Sequence, residues 1–146
     1  IRDRTGSRGL GDVYQRQYLN RQGISVVLDA KVIRNDNRYG ITIIETGIGR
    51  LSIPECQFEV GQRFRVRILS DDVSITLSKS KDSSISNIFK VKVKKIATDS
   101  KHMKIITLES GSTQIKARIT KKSSEILNLE LNDEVFAQIK TVAITY

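Results

Sequence analysis

The sequence predicts an all-β chain built as two tandem small antiparallel β-barrels, and three observations carry that expectation. One string of segments occurs twice in the same order: Ala30-Lys31-Val32, Gly40 to Gly47 and Arg65 to Thr76 return as Val91-Lys92-Val93, Lys104 to Gly111 and Ala137 to Thr145. The segments are short and strand-like, with alternation such as Phe64, Val66 and Ile68 against Arg63, Arg65 and Arg67, the period-2 mark of a half-buried strand. Each copy holds about 60 residues, a size that is marginally stable alone, so the copies are expected to pack as one body with function at the seams.

The elements follow in order. Residues 1–24 form a leader punctuated by Gly6, Gly9 and Gly11, in which Asp12 to Leu19 could make two turns of helix with Tyr14 and Tyr18 on one face before Gly23 ends it. The first unit, residues 25–77, reads as strands Ser25 to Arg34, Gly40 to Thr46, Arg50 to Ile53, Gln62 to Leu69 and Val73 to Leu77. Asn35-Asp36-Asn37 and Gly47-Ile48-Gly49 supply its turns. A polar linker, residues 78–84, has no apolar periodicity. The second unit, residues 85–146, repeats the pattern with strands Ile88 to Ile96, Met103 to Glu109, Gln114 to Ile119, Glu134 to Ile139 and Val142 to Thr145. It alone carries a helical insert, Thr120 to Leu129, whose Ile126, Leu127 and Leu129 are expected to close one end of a barrel; the matching stretch of the first unit is shorter and contains Pro54. Strands of this length and spacing indicate partly closed barrels of the oligonucleotide/oligosaccharide-binding (OB) type.

Composition narrows the function. The net charge of +9 calls for an anionic partner, and charge alone does not choose among nucleic acid, acidic lipid and small anions. Arg63, Arg65 and Arg67 fall on the solvent side of their strand, so part of the charge is ordinary barrel exterior. Four Tyr and four Phe, with Phe64 and Phe89 on the apolar sides of their strands, offer few stacking platforms and weigh against a nucleic-acid partner. Cys56 and His102 are the only residues of their types, which excludes a disulfide framework or a zinc cluster built from them; the plain readings are a buried small residue and a loop residue. No apolar run is long enough to span a bilayer as a helix. Ile1 opens no recognisable signal peptide, in keeping with a fragment of a longer chain. Adjacent Asp71 and Asp72 would point oppositely on an extended strand, and the single histidine has no nucleophile pattern beside it, so no catalytic residues are assigned and the chain reads as non-enzymatic.

Ser84-Ile85-Ser86-Asn87-Ile88-Phe89-Lys90-Val91-Lys92-Val93, the later Ala117-Arg118-Ile119-Thr120 and Ala137 to Ile144 resemble the molbindin (Mop) domain of molybdate-binding proteins. The first unit, ending Arg67-Ile68-Leu69-Ser70-Asp71-Asp72-Val73-Ser74-Ile75, resembles the preceding half of the C-terminal TOBE region of molybdate ABC transporter ATP-binding subunits. The likeness covers about Val26 to Thr145, and no phosphate-binding loop G-x-x-x-x-G-K-S/T appears in the chain.

The resemblance implies a tandem Mop/TOBE fold that binds molybdate or tungstate at seams between barrels, as ligand and not as cofactor; molybdenum would enter only as the oxyanion. Such a dianion accepts hydrogen bonds and donates none, so its site needs N–H and hydroxyl groups and a cation. Carried over, the oxyanion-binding residues are Ser84, Ile85, Ser86 and Asn87, some through backbone N–H, with Thr120 and with Lys140 and Thr141. Ser86 stands where the family usually has Arg, which keeps one donor and loses a full charge. The structural alternatives are a helix cap for Thr120, a turn hydrogen bond for Asn87 and an exposed strand-end lysine for Lys140.

The implied partners are a second copy in a homodimer, the ATPase domain of the same subunit and the membrane subunits of the transporter. The implied location is cytoplasmic, peripheral to the inner membrane, with membrane contact only through the transporter. Two other readings are kept: a dimerisation module that has lost anion binding, and a tandem OB-type barrel for single-stranded nucleic acid.

Overall fold

A computed structural model describes residues 24–79 and 82–145. The leader helix expected over Asp12 to Leu19 lies outside the described residues. Among the described residues ten strands form: β1 (Ser25–Asp36), β2 (Ile41–Thr46), β3 (Gly49–Pro54), β4 (Arg63–Leu69), β5 (Val73–Thr76), β6 (Ile88–Ser100), β7 (Met103–Ser110), β8 (Thr113–Thr120), β9 (Glu134–Ile139) and β10 (Ala143–Thr145). One helix, α1 (Lys121–Leu127), follows β8, and a 3-10 turn (Ser70–Asp72) joins β4 to β5. Asp71 and Asp72, expected in extended chain, therefore lie in that turn.

The hairpins arise from local turn chemistry. Asp36 Oδ1 accepts the N–H groups of Arg38 (3.1 Å) and Tyr39 (3.3 Å), which turns the chain from β1 into β2. Between β2 and β3, Thr46 Oγ1 accepts from Ile48 N–H at 3.2 Å and donates to the Gly49 carbonyl at 2.8 Å. The internal repeat reaches fine detail. A bulge follows Val32 in β1, and another follows Val93 in β6, the equivalent residue. Val32 exchanges hydrogen bonds with Gly61 and Gln62, and Val93 does the same with Asn132 and Asp133. Gly61 and Asn132 share a positive φ at these matching places.

The two sheets are antiparallel and exchange strands. The first has the order β10-β4-β1-β2-β3, the second β5-β9-β6-β7-β8. Thus β5, read from the sequence as the last strand of the first unit, pairs with β9 from Val73↔Ile139 to Thr76↔Phe136. In return β10 pairs with β4, Ala143 facing Arg67 and Thr145 facing Arg65. The two crossings run side by side, since the Lys140 N–H donates to the Asp72 carbonyl at 3.1 Å. Val73-Ser74-Ile75-Thr76 and Val142-Ala143-Ile144-Thr145 are near copies, so their alternation fits either sheet equally.

A single cluster of buried side chains joins both sheets: Val32, Ile44, Leu51, Val66 and Ile68 from the first pack with Val93, Ile106, Leu108, Ile115, Val135 and Ile139 from the second. Each such side chain contributes roughly 1.5–3 kcal/mol by leaving water. Phe64 and Phe89 are half-buried and pack against this cluster, as their strand positions predict. The helix is shorter than expected. Thr120 caps it, Asn128 ends it in the left-handed conformation (φ 52°), and Leu129 beyond it is the buried apolar residue. Ile126, expected to close the barrel, is 70% exposed, because a helix of two turns presents only one side to the sheet. Cys56 is partly exposed rather than buried, and His102 sits in the exposed turn between β6 and β7.

Candidate oxyanion-binding site

The segment leading into β6 carries four of the expected ligands. Ser84 and Ser86 are exposed, Ile85 is half-buried, and the Ile85 N–H donates to Ser83 Oγ at 3.0 Å. Asn87 differs from its neighbours in being only 8% exposed. Its Oδ1 accepts the Ser52 N–H at 2.8 Å and its Nδ2 donates to the Ser52 carbonyl at 3.0 Å, so the side chain is joined to β3 of the first sheet. The Asn87 carbonyl also accepts the Ile139 N–H at 2.9 Å. This bond extends the β6–β9 ladder one step past Ile88↔Gln138, to Asn87 and Ile139, so that Lys140 and Thr141 follow directly on the residue held by Asn87. Both Lys140 and Thr141 are exposed, and Lys140 has no ion pair among the described residues.

Thr120 lies elsewhere on the second barrel. Its Oγ1 accepts the Ser123 N–H at 3.0 Å and donates to Ser123 Oγ at 2.9 Å, a helix cap. With His102, Met103, Lys121, Lys122 and Glu125 it lines a cavity of about 370 Å³ that none of the other six candidates lines. Within one chain the Ser84–Asn87 segment is tied to the strand end that precedes Lys140 and Thr141, whereas Thr120 lines a different cavity.

Some of the surrounding charges are paired. Lys90 pairs with Glu134 (3.4 Å) and Lys94 with Glu109 (3.7 Å), two of the four lysines of β6. Arg118 on β8 reaches Asp99 at 2.8 Å and Asp71 of the 3-10 turn at 3.5 Å. The hydrogen bond to Asp99 is the main cause holding its guanidinium pKa above the ordinary arginine value, with Asp71 adding to it against the cost of burial. Lys140 is an exposed cation at the crossing with no ion pair among the described residues. Hydroxyls, N–H groups and one lysine suit a tetrahedral oxyanion better than a cation. Among the described residues no cluster of His, Cys, Asp or Glu could hold a metal ion.

Two structural partners escaped the sequence reading, Ser52 and Asp71. Ser52 engages Asn87 through its backbone, which no side-chain pattern reveals. Asp71 meets Arg118 only because β5 has crossed to the second sheet, so their pairing depends on a topology the repeat does not encode.

Two small antiparallel barrels with exchanged outer strands place the molecule in the class of tandem OB-like Mop/TOBE domains. Residues 83–145 match the TOBE domain family, and over most of its length the chain is similar to molybdenum import ATP-binding proteins. It is 33% identical over 128 residues to molybdenum import ATP-binding protein ModC of Photorhabdus laumondii, covering 88% of this chain and 36% of the relative. With ModC of Saccharophagus degradans the identity is 38% over 122 residues, covering 82% of this chain and 34% of the relative. The chain therefore spans about a third of the length of these relatives. Its fold matches that of the cytoplasmic molybdate-binding protein ModG, solved with molybdate bound, at a TM-score of 0.70 and 22% identity over 82% of this chain and 93% of that one.

Proposed function

We propose that the chain is the oxyanion-binding regulatory and dimerisation region of the ATP-binding subunit of a molybdate or tungstate importer. The observation that carries this reading is the juxtaposition of Ser84 to Asn87 with Lys140 and Thr141 at the crossing of the two sheets, in a chain related to molybdenum import proteins. The separation of Thr120 from the other donors supports a site completed by a second copy, with anions held at seams between barrels of a homodimer. The location that goes with this function is the cytoplasmic side of the inner membrane, reached through the transporter's membrane subunits. No helix among the described residues is long and apolar enough to cross a membrane itself.

Regulation would follow from differential affinity. An anion that binds one arrangement of paired domains more tightly shifts the attached ATPase domains toward that arrangement, and couplings of about 1–3 kcal/mol are typical. The test is the thermal midpoint of the purified chain with molybdate, with equimolar sulfate as control. At 100 times its dissociation constant a ligand stabilises by about 2.7 kcal/mol. A rise with molybdate and none with sulfate is expected, and Lys140→Ala should remove most of it while leaving the midpoint without anion in place. Unchanged molybdate affinity in that variant would remove Lys140 from the site.

A second reading is favoured by two observations, Ser86 in the place of the family arginine and the engagement of the Asn87 amide by Ser52. It makes the chain a dimerisation module that binds no anion. Sedimentation showing a stable dimer with no molybdate response would select it.

A further inference from the structure

We propose that Asn87 is a positioning residue and not an anion ligand: its side-chain amide fastens the Ser84–Asn87 segment and the neighbouring Lys140 crossing to the first sheet, so that anion binding is coupled to the seam between the sheets. The inference takes its ligand from the oxyanion reading above and its geometry from hydrogen bonds.

Ser52 belongs to β3, the free edge of the first sheet. The bonds from Ser52 N–H to Asn87 Oδ1 (2.8 Å) and from Asn87 Nδ2 to the Ser52 carbonyl (3.0 Å) are those a neighbouring strand would make with that edge. A primary amide can imitate a strand in this way because it presents an acceptor and a donor on one carbon. The Asn87 side-chain oxygen can only accept, so it offers an anion nothing, and one of the two Nδ2 hydrogens is committed to Ser52. Through its own carbonyl the same residue holds Ile139, immediately before Lys140. One residue, through its side chain and its main-chain carbonyl, thus links β3, the serine-bearing segment and the lysine crossing.

The surrounding packing limits slippage. Ideal Cβ atoms on Gly47 and Gly49, which flank the β2–β3 turn, would collide with Thr113 and the Phe89 ring of the second sheet, so this hairpin is gripped beside the clasp. The clasp is also one-sided. In the repeat register Val91↔Val135 corresponds to Ala30↔Phe64, which puts Val26, facing Ile68, in the place of Asn87. Valine cannot make these bonds, so the first repeat has no counterpart.

The experiment compares the 146-residue chain with Asn87→Ala, Ser52→Pro and the double variant. Ser52→Pro removes the N–H that Asn87 accepts and changes no residue of the anion segment. Two quantities are read: molybdate affinity by titration calorimetry, and hydrogen exchange of the amides of residues 84–88 and Ile139. Each single variant is expected to weaken molybdate about tenfold, the order of one lost hydrogen bond, and the double variant no further than either. Faster exchange of the segment in Ser52→Pro should accompany the loss. If Asn87→Ala weakens binding while Ser52→Pro leaves affinity and exchange unchanged, Asn87 is a ligand and the proposal is overturned.

Absence of molybdate binding by the unaltered chain would overturn the oxyanion reading and with it the coupling, whereas exchange would still decide whether the clasp exists. Should Ser52→Pro fail to fold, the Ser52 amide serves as reporter. It is expected to exchange faster in Asn87→Ala and more slowly when molybdate is added to the unaltered chain, and indifference to both overturns the proposal.

Discussion

At the scale of single residues, Thr120 separates two roles that one hydroxyl can combine. Its hydrogen bond to the Ser123 N–H caps α1, and such caps are typically worth about 1 kcal/mol. Thr120→Ala is expected to lower urea stability by about that amount, whereas Thr120→Ser should keep it, since the hydroxyl is what accepts. Molybdate affinity then reads the other role. A fall in Thr120→Ala larger than the stability change explains would place the hydroxyl on the anion. Arg118 makes a different prediction. Its pKa is raised in the folded state, so its stabilising effect is fully present below the unfolded arginine value and is lost only as pH rises through the folded one. Arginine protonation should therefore contribute no change in stability between pH 6 and 9 as an expected range, while Arg118→Met should lower stability by about 1 kcal/mol in urea unfolding at any pH within it. The residues of the candidate segment were readable from resemblance. Their division into exposed Ser84 and Ser86 and buried Asn87 was not, because the partner of Asn87 is a backbone edge contributed by the other repeat.

Among the elements, every strand was legible because its turn residues and alternation are local: Asp36 needs only the next few N–H groups, and Gly47 to Gly49 only their own hairpin. Strand partnership was not local. The 3-10 turn at Ser70–Asp72 sends β5 across to β9, and two near-identical strand sequences leave no alternation to distinguish the sheets. The packing of α1 departs from expectation for a different reason, since Ile126 counts as apolar in any pattern while it falls on the outer side of the two-turn helix. The hairpin between β2 and β3 carries its own test. Gly49 has φ +137° and an added Cβ would lie 2.7 Å from two carbons of the Phe89 ring. Gly49→Ala combines backbone strain with overpacking and should cost on the order of 3 kcal/mol in urea unfolding. Adding Phe89→Leu should recover part of this by making room, and full additivity of the two losses would show that the ring is not what the methyl meets.

For the whole molecule, one apolar cluster and two exchanged strands make each sheet incomplete without the other. Thermal unfolding followed by methyl signals of Ile44 in the first sheet and Ile106 in the second should therefore give one midpoint. Separate transitions would mean that the repeats are independent bodies despite the exchange. The same exchange sets an order of events during synthesis. The partner that completes the outer edge of β4 is β10, made half a chain later, so the first sheet leaves the ribosome as four strands with an unpaired edge. Any interruption of translation just before residue 143 would accordingly injure the half of the molecule that was made first, and leave the more recently made sheet with its full set of strands.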